Sequence, residues 1–415
     1  MRDLLYLSLQ YVSHHRLKLM VLILAITLVS WLPVAIQSIV EQTAEQLLQR
    51  ADTTPLVIGA PGSPLELSLG SLYFRSRTTS TLPYRELEAL ERTGHARAIP
   101  LYYRFHVQEH PIVGTNPDYF AYRGLRLDSG RPAALLGEAV IGAKVAEVMG
   151  LGTGDYVISS PESVFDLAGV YPLKMPIVGV LAANFSPDDE AVFVDIKTAW
   201  VIQGLGHGHQ DLNRKEAAGQ ILKREEGNLV ANASVHQFNE ITPENLQSFH
   251  FHGDNADNPV SAIIPLPHSE KSAALLLGHY LEEREGVQIV RSRRVISELL
   301  ETVFTVRDYI VVAIAIVAVA TAIVAILVFY LSLQLRQGER FTLARIGASR
   351  LQIYGLMAAE VICVLLFSAL VSALLILLTR QCGSAGLQQL LIACVPTRMC
   401  IRLVGSVLLL AVVSL

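Results

Sequence analysis

Histidines are the residues of this chain whose type and spacing come closest to a chemical site. Six of the 12 histidines fall between positions 207 and 268, and two pairs have the pattern His-x-His: His207 with His209, and His250 with His252. On a strand, both rings of such a pair point to one face, and neutral imidazoles are good ligands for zinc or copper. The spacing does not match a closed structural zinc site. A polar, exposed segment without metal is therefore the favoured interpretation, and metal binding is kept as the alternative.

Patterns that would indicate an enzyme are missing from the sequence. The Gly-rich run GLGTGDYV at 150–157 has no lysine to reach a phosphate, so it is not a P-loop. Neither HExxH nor GxSxG occurs. We therefore predict that the chain is not an enzyme, has no catalytic residues and binds no cofactor of its own.

The composition is typical of a protein that has both membrane-spanning and water-exposed parts. Hydrophobic residues make up 52% and charged residues 17% of the 415 residues, and the mean hydropathy is +0.42. This is too apolar for an ordinary soluble protein and too polar for a chain that lies entirely in a membrane. The net charge of −4 gives no indication of nucleic-acid binding. The four cysteines lie in the last, apolar quarter, without the spacing of a disulfide or zinc framework.

Apolar runs predict four membrane spans, since a helix needs roughly 20 apolar residues to cross the hydrocarbon layer. We place the spans at 19–40, 309–335, 351–379 and 403–415. The last one has only 13 residues, and we expect it to be incomplete in this chain.

Basic residues set the expected orientation of these spans. Segments 1–18 and 336–350 are rich in arginine or lysine and are expected in the cytoplasm. The large polar segment 41–308 and the short segment 380–402 then lie outside, although three arginines in 380–402 run against this rule. We expect a multi-pass protein of a bacterial inner membrane, with segment 41–308 in the periplasm or at the cell exterior.

The outer segment 41–308 has the pattern of an α+β domain. Short apolar runs bounded by Gly, Pro or Asp, such as PLVIGA, AVFVDI and PVSAIIPL, predict buried strands. PYRELEALERTG and the run that starts at Ser269 have helical periodicity, with Ser269 as the N-cap. The ends, 41–50 and 295–307, predict helical stalks that continue the flanking spans. The predicted fold is thus a four-helix transmembrane domain with a large α+β extracytoplasmic domain inserted between the first and second spans.

Two regions carry more specific motifs. The first is GEAVIGAKVAEVMGLGTGDYV at 137–157, followed by MPIVGVLAANFSPDDEAVFVDIKTAW from Met175. The second is LRQGERFTLARIGASRLQIYGLMAAE at 335–360. Together with the order of the spans, these motifs resemble the permeases of the MacB, LolC and FtsX type. The first region is similar to the periplasmic core domain of those permeases, and the second to the cytoplasmic loop that follows their second span.

The residues of the loop that match the family pattern are Glu339, Leu343, Ile346, Gly347, Ala348, Ser349, Arg350 and Glu360. The family has Arg-Ala before the apolar residue, whereas this chain has Ala344-Arg345. The resemblance implies that this loop docks on an ATPase subunit, with Arg345 and Arg350 paired with acids of that partner. The competing interpretation is that these arginines only obey the positive-inside rule. Glu360, an acid inside the third span, is the candidate for coupling.

The resemblance further implies a permease subunit of an ABC transporter. ATP is hydrolysed by a separate subunit and drives movement of the periplasmic domain (mechanotransmission), for export or extraction of a substrate. The expected partners are that ATPase, a second permease copy or paralogue in a dimer, membrane lipid and a periplasmic protein. Two alternatives stay open: an FtsX-like regulatory scaffold that controls a periplasmic partner, and a membrane-anchored metal or ligand sensor or a permease linked to metal transport.

Overall fold

The computed structural model describes residues 16–75, 80–160, 172–208, 221–225, 228–231, 240–251, 253–282, 286–335, 337–347 and 349–394. The chain forms two compact units. The helical unit comprises Met1–Leu48 and Glu298–Leu415, and the core domain comprises Gln49–Ser297. The core domain therefore interrupts the helical unit in sequence.

The helices are α1 (Arg16–Thr53), α2 (Pro64–Tyr73), α3 (Arg85–Arg92), α4 (Pro117–Arg123), α5 (Ala143–Met149), α6 (Ile196–Ile202), α7 (Glu270–Glu282), α8 (Ser292–Leu335), α9 (Gln337–Arg345) and α10 (Arg350–Cys394). The strands are β1 (Leu56–Gly59), β2 (Leu82–Pro83), β3 (Ala96–Leu101), β4 (His106–Val107), β5 (His110–Thr115), β6 (Leu127–Gly130), β7 (Ala139–Ile141), β8 (Tyr156–Ile158), β9 (Lys174–Leu181), β10 (Val192–Asp195), β11 (Gly206–Gly208), β12 (Ile221–Glu225), β13 (Asn228–Ala231), β14 (Phe249–Phe251), β15 (Pro259–Val260), β16 (Ala262–Pro267) and β17 (Gln288–Arg291).

Among the described residues, the core domain has two main sheets and three separate pairs of strands, β11 with β14, β12 with β13 and β15 with β2. The smaller is antiparallel, in the order β17-β1-β16-β3. The larger is mixed, in the order β4-β5-β10-β7-β9-β6, and β8 also pairs with β9. In this sheet β10 runs parallel to β5 and antiparallel to β7. A bridge between Tyr102 and Gly114 links the end of β3 to β5, so backbone hydrogen bonds connect the two sheets.

Burial explains why these runs form strands. Every residue of β1 is buried, as are Val192, Phe193 and Val194 of β10 and the first four residues of β16. Buried strands lack polar alternation because both of their faces are covered. The three strands predicted from PLVIGA, AVFVDI and PVSAIIPL are thus confirmed, with β15 as a short additional strand in the third run.

The predicted helices of the core domain are also present. Residues Arg85–Arg92 form α3, which buries Leu87 and Leu90. The hydroxyl of Ser269 accepts the backbone N–H of Ser272 at 3.1 Å, as expected of an N-cap before α7. In the Gly-rich run, Gly150 ends α5 in the left-handed conformation and the carboxylate of Asp155 accepts the N–H of Gly152. The run is therefore a helix end followed by a turn.

The segments predicted as stalks are helical, because α1 continues through 41–50 and α8 begins before 295. Within the described part of the chain, three helical segments are long and apolar enough to cross a membrane: Met20–Thr53, Ser292–Ser332 and Val361–Thr379. The helix α10 continues to Cys394, so it extends into the segment 380–402 that the sequence analysis assigns to an external connection. The predicted fourth span, 403–415, lies outside the described residues.

The helical unit is held together by a small apolar cluster and by polar contacts between helices. Leu22 of α1, Ala325 of α8 and Val364 of α10 form the cluster. The indole N–H of Trp31 donates to the hydroxyl oxygen of Thr379 at 3.0 Å, and the hydroxyl of Thr27 donates to the carbonyl of Ser368 at 3.4 Å. Such interhelical hydrogen bonds are a regular feature of helix packing in lipid.

Candidate functional site

The loop predicted to dock on an ATPase is built as a short helix followed by a glycine turn. The helix α9 ends at Arg345, and the N–H of Ile346 donates to the carbonyl of Thr342 at 3.1 Å. Gly347 then has φ +99°, a conformation that other residues adopt only with strain. The next helix, α10, begins at Arg350. Gly347 therefore lies in the turn between α9 and α10.

The solvent-exposed surface of this loop combines apolar and basic side chains. Phe341 is 70% and Ile346 is 79% exposed, and Arg345 is exposed as well. Phe341 and Arg345 are four residues apart on one helix, so they lie on the same face. Exposed apolar groups with a charged rim are typical of a surface that another protein covers. Phe341 is not among the residues predicted from the sequence, although its spacing from Arg345 is a signal that could have identified it.

The other predicted loop residues are described in part. Glu339 and Leu343 lie in α9, and Arg350 and Glu360 lie in α10. Ser349 precedes α10, and its carbonyl accepts the N–H of Ile353 at 3.2 Å. Ala348 lies outside the described residues. Docking by these residues and coupling by Glu360 both stay predictions.

Two of the four candidate metal ligands come together in the core domain. The strand β11 pairs with β14 so that His207 lies opposite His250, and their ring centroids are 5.0 Å apart. The Nδ1 atom of His250 is 3.1 Å from the carbonyl oxygen of Ser248. His209 and His252 lie outside the described residues. Within the described ranges, no three His, Cys, Asp or Glu side chains are grouped as metal ligands.

A second site, at the end of α1, was not found from the sequence. Arg50 lies in the last turn of α1, and its guanidinium makes two parallel hydrogen bonds to the carboxylate of Asp188, at 2.7 and 2.9 Å. It also donates to the hydroxyl of Tyr119 at 3.2 Å and to the carbonyl of Leu72 at 2.5 Å. The side chains of Arg50 and Asp188 are only 9% and 1% exposed. We call Arg50, Asp188 and Tyr119 the Arg50 cluster.

The Asp188 carboxylate has enough donors to remain charged inside the protein. Besides Arg50, the hydroxyls of Tyr119 and Ser186 donate to it at 2.7 and 3.0 Å. Burial by itself raises the pKa of Asp188, but the hydrogen bonds and charge of Arg50 outweigh burial and lower it. Burial and the Asp188 charge raise the pKa of Tyr119, so its hydroxyl remains a donor at neutral pH. A buried ion pair is stable only when its remaining polar atoms are satisfied in this way.

Asp188 belongs to a 3-10 turn, Pro187–Glu190, that precedes β10. The next carboxylate, that of Asp189, accepts the N–H groups of Asn184 and Phe185. Gly142, at the start of α5, approaches so closely that an added Cβ would lie 2.3 Å from the carbonyl oxygen of Asp189. Both parts of the core-domain motif therefore meet at this turn, which explains the need for glycine at 142.

The helix α4 contacts the same end of α1. The hydroxyl of Tyr122 donates to the carbonyl of Thr53, and the guanidinium of Arg123 donates to the Thr53 hydroxyl at 3.1 Å. The Tyr119 ring of α4 lies 5.6 Å from the ring of Phe193 in β10. The last turn of α1 is thus fixed both to α4, which packs on β10, and to the turn before β10.

Comparisons with known proteins give a family match over slightly more than half of the chain. Residues 19–233, slightly more than half of the chain, match the family described as MacB-like periplasmic core domain. The periplasmic region of MacB from Actinobacillus actinomycetemcomitans is 12% identical, with 61% of this chain and 97% of that chain covered and a TM-score of 0.34. The extracellular domain of the noncanonical ABC-type transporter YknZ from Gram-positive bacteria is 14% identical, with 57% and 98% covered and a TM-score of 0.29. Among curated proteins, none matches this chain.

Proposed function

This chain belongs to the family of ABC transporter permeases that carry a MacB-like periplasmic core domain, and from this membership we propose that it couples ATP hydrolysis by a separate subunit to movement of its core domain. The movement serves export or extraction of a substrate. The permease acts as a dimer with a second copy or a paralogue, in the inner membrane, with the core domain on the outer side.

The observation that carries the proposal is the exposed surface of the loop after α8. A loop that only placed positive charge in the cytoplasm would need neither an exposed Phe341 and Ile346 nor a glycine turn at 347. An ATPase subunit that covers Phe341 and Ile346 removes apolar area from water, and Arg345 supplies charge at the rim. Motion of that subunit then acts on α8 and α10, the helices on either side of the loop.

Co-purification tests this proposal. We expect an ATPase subunit to accompany the wild-type protein from its host membrane in detergent, with ATP hydrolysis in the purified complex. Arg345→Glu reverses the charge at the rim, and Gly347→Asp forces a side chain into the left-handed turn. Each of these substitutions should abolish co-purification of the ATPase subunit. Arg92→Glu, an equal charge reversal on an exposed residue of the core domain, is the matched control and should retain it. Absence of an ATPase from the wild type would contradict the proposal.

A metal-responsive permease is the second candidate function, and the pairing of His207 with His250 favours it. A cross-strand pair of imidazoles supplies two ligands for zinc or copper. Titration of the purified protein with Zn²⁺ should then show binding that His207→Ala and His250→Ala each remove. His268→Ala, at an exposed histidine outside the pair, is the control. Equal binding by all four proteins would eliminate this candidate.

A further inference from the structure

The helices α1 and α8 are both connected to the smaller sheet of the core domain, and neither runs directly into the larger sheet. After its last turn, α1 continues into β1, and α8 directly follows β17. These two strands are neighbours in the smaller sheet, where Leu56 pairs with Arg291. The peptide chain therefore connects both helices to the smaller sheet. The larger sheet begins further along the chain, so neither helix runs directly into it, and it is joined to the smaller sheet by the backbone hydrogen bonds between Tyr102 and Gly114.

The Arg50 cluster provides a connection from α1 to the larger sheet. The guanidinium of Arg50 holds Asp188 in the turn before β10, and it also contacts Tyr119 of α4. The strand β10 lies inside the larger sheet, between β5 and β7. A bidentate pair between arginine and carboxylate fixes orientation as well as distance. A rotation or translation of the last turn of α1 is therefore passed to this turn and not only to β1.

We propose that Arg50 is a positioning residue that transmits displacement of α1 to the larger sheet of the core domain through Asp188. This inference rests on the proposed function, because it requires that the ATPase cycle moves α1. Burial strengthens the transmission, since water cannot compete for the hydrogen bonds of a guanidinium that is 9% exposed and a carboxylate that is 1% exposed. The Asp189 carboxylate holds the N–H groups of Asn184 and Phe185, so hydrogen bonds tie the turn that carries Asp188 to the residues before it and limit local absorption of the motion.

The same turn of α1 offers a matched control. Asp52 pairs with Arg293 of α8 at 2.5 Å, but these side chains are 43% and 64% exposed. This pair joins the two helices to each other. Exposed ion pairs contribute little and exchange readily with water. The inference therefore predicts that loss of the Asp52 pair leaves transmission unchanged.

The test compares hydrogen exchange of the whole permease–ATPase complex with and without a non-hydrolysable ATP analogue. In the wild type, we expect nucleotide to change exchange in the last turn of α1 and in residues 184–195 of the core domain. The double variant Arg50→Gln/Asp188→Asn removes both buried charges together, so that neither remains unpaired. In this variant, nucleotide should still change hydrogen exchange in the last turn of α1. The change in residues 184–195 should be about tenfold smaller than in the wild type, which is a typical strength of coupling between sites.

The control Asp52→Asn/Arg293→Gln should respond at both segments like the wild type. Arg50→Lys keeps the charge but lacks the planar fork, and it should give an intermediate response, which keeps the test decisive if the double variant does not fold. A double variant, or Arg50→Lys, that responds at 184–195 as strongly as the wild type would overturn this inference and leave the proposed function intact. A wild-type complex that binds the ATPase but responds at neither segment would overturn both.

Discussion

Ile58 in the core domain and Ile316 in the helical unit are the same residue type in opposite surroundings. Ile58 of β1 is fully buried, whereas Ile316 of α8 is 67% exposed, and its neighbours Val312, Val319 and Ile323 are similarly exposed. A water-soluble domain buries its apolar residues because water drives them inward. A lipid-facing helix has no such drive, since lipid tails are as apolar as its side chains. The two units are therefore stabilised by different interactions.

The two tryptophans allow each unit to be followed separately. Trp200 of α6 is 1% exposed in the core domain, where its indole N–H donates to the carbonyl of Pro259 at 2.8 Å. Trp31 lies in the helical unit, where it donates to Thr379. Because the chain has no other tryptophan, Trp31→Phe leaves emission from the core domain alone, and Trp200→Phe leaves emission from the helices alone.

The largest difference in stability is expected between substitutions at Ile58 and at Ile316. Ile58→Ala should lower the free energy of unfolding of the core domain by about 2–5 kcal/mol, because it leaves a cavity among buried strands. Ile316→Ala should change it by less than about 0.5 kcal/mol. Denaturant titrations followed by Trp200 emission in the Trp31→Phe background measure both. Equal losses would show that the contrast between the two units is wrong.

The next largest difference in stability is expected between a glycine that closely contacts another backbone segment and glycines that have open space around them. Gly142→Ala places a Cβ 2.3 Å from the carbonyl oxygen of Asp189, so the backbone must shift, at a cost of about 1–3 kcal/mol. Gly152→Ala in the same motif meets no atom within 4 Å and is the control. Gly338 of α9 is equally open, so Gly338→Ala should be neutral or stabilise its helix by up to about 1 kcal/mol. Thermal unfolding of the three variants checks this order.

The stability of the core domain should depend on pH through the carboxyl group of Glu138. Hydrogen bonds from Arg131 lower its pKa, burial opposes them, and the N–H groups of Ala134 and Leu135 lower it further, to about 2 from the usual 4.5. A depressed carboxyl pKa stabilises the fold above about pH 4.5, and this contribution is lost as the pH falls toward 2. Glu138→Gln should cost about 1.5 kcal/mol at pH 7 and flatten the pH dependence of unfolding in this range.

The control for Glu138 is Glu190→Gln. Glu190 also pairs with an arginine, Arg75, but both side chains are largely exposed, at 47% and 71%. We expect a loss of less than about 1 kcal/mol. A cost equal to that of Glu138→Gln, with the same pH dependence, would contradict the role assigned to burial and to the backbone donors.

The smallest effect is expected inside the helical unit. Thr379→Val removes the acceptor of the Trp31 indole without changing the size of the side chain much. Interhelical hydrogen bonds in membrane proteins contribute about 0.6 kcal/mol on average. Trp31 emission in the Trp200→Phe background should therefore shift, while the melting temperature in detergent changes little. A large fall in that temperature would show that polar contacts dominate helix packing here.

The sequence by itself determined the local elements and the order of the two units. Long uncharged runs predicted the helices α1, α8 and α10, because a helix is recognised by its length and apolarity. Runs such as PLVIGA predicted buried strands for the same local reason. The loop residues 339–350 could be proposed because their pattern is contiguous in sequence. The exposure of Phe341 and the left-handed backbone of Gly347 followed only from the structure.

Tertiary structure alone decided which distant residues meet. Arg50 and Asp188 are 138 positions apart, and no local pattern pairs them. Likewise, His207 lies opposite His250 only because β11 and β14 align in one register, and β10 lies between β5 and β7 only because of how the larger sheet is packed. Sheet order and register depend on side-chain packing across the whole domain, whereas periodicity reports only on neighbouring residues. The Arg50 cluster therefore emerges from the fold and not from the sequence.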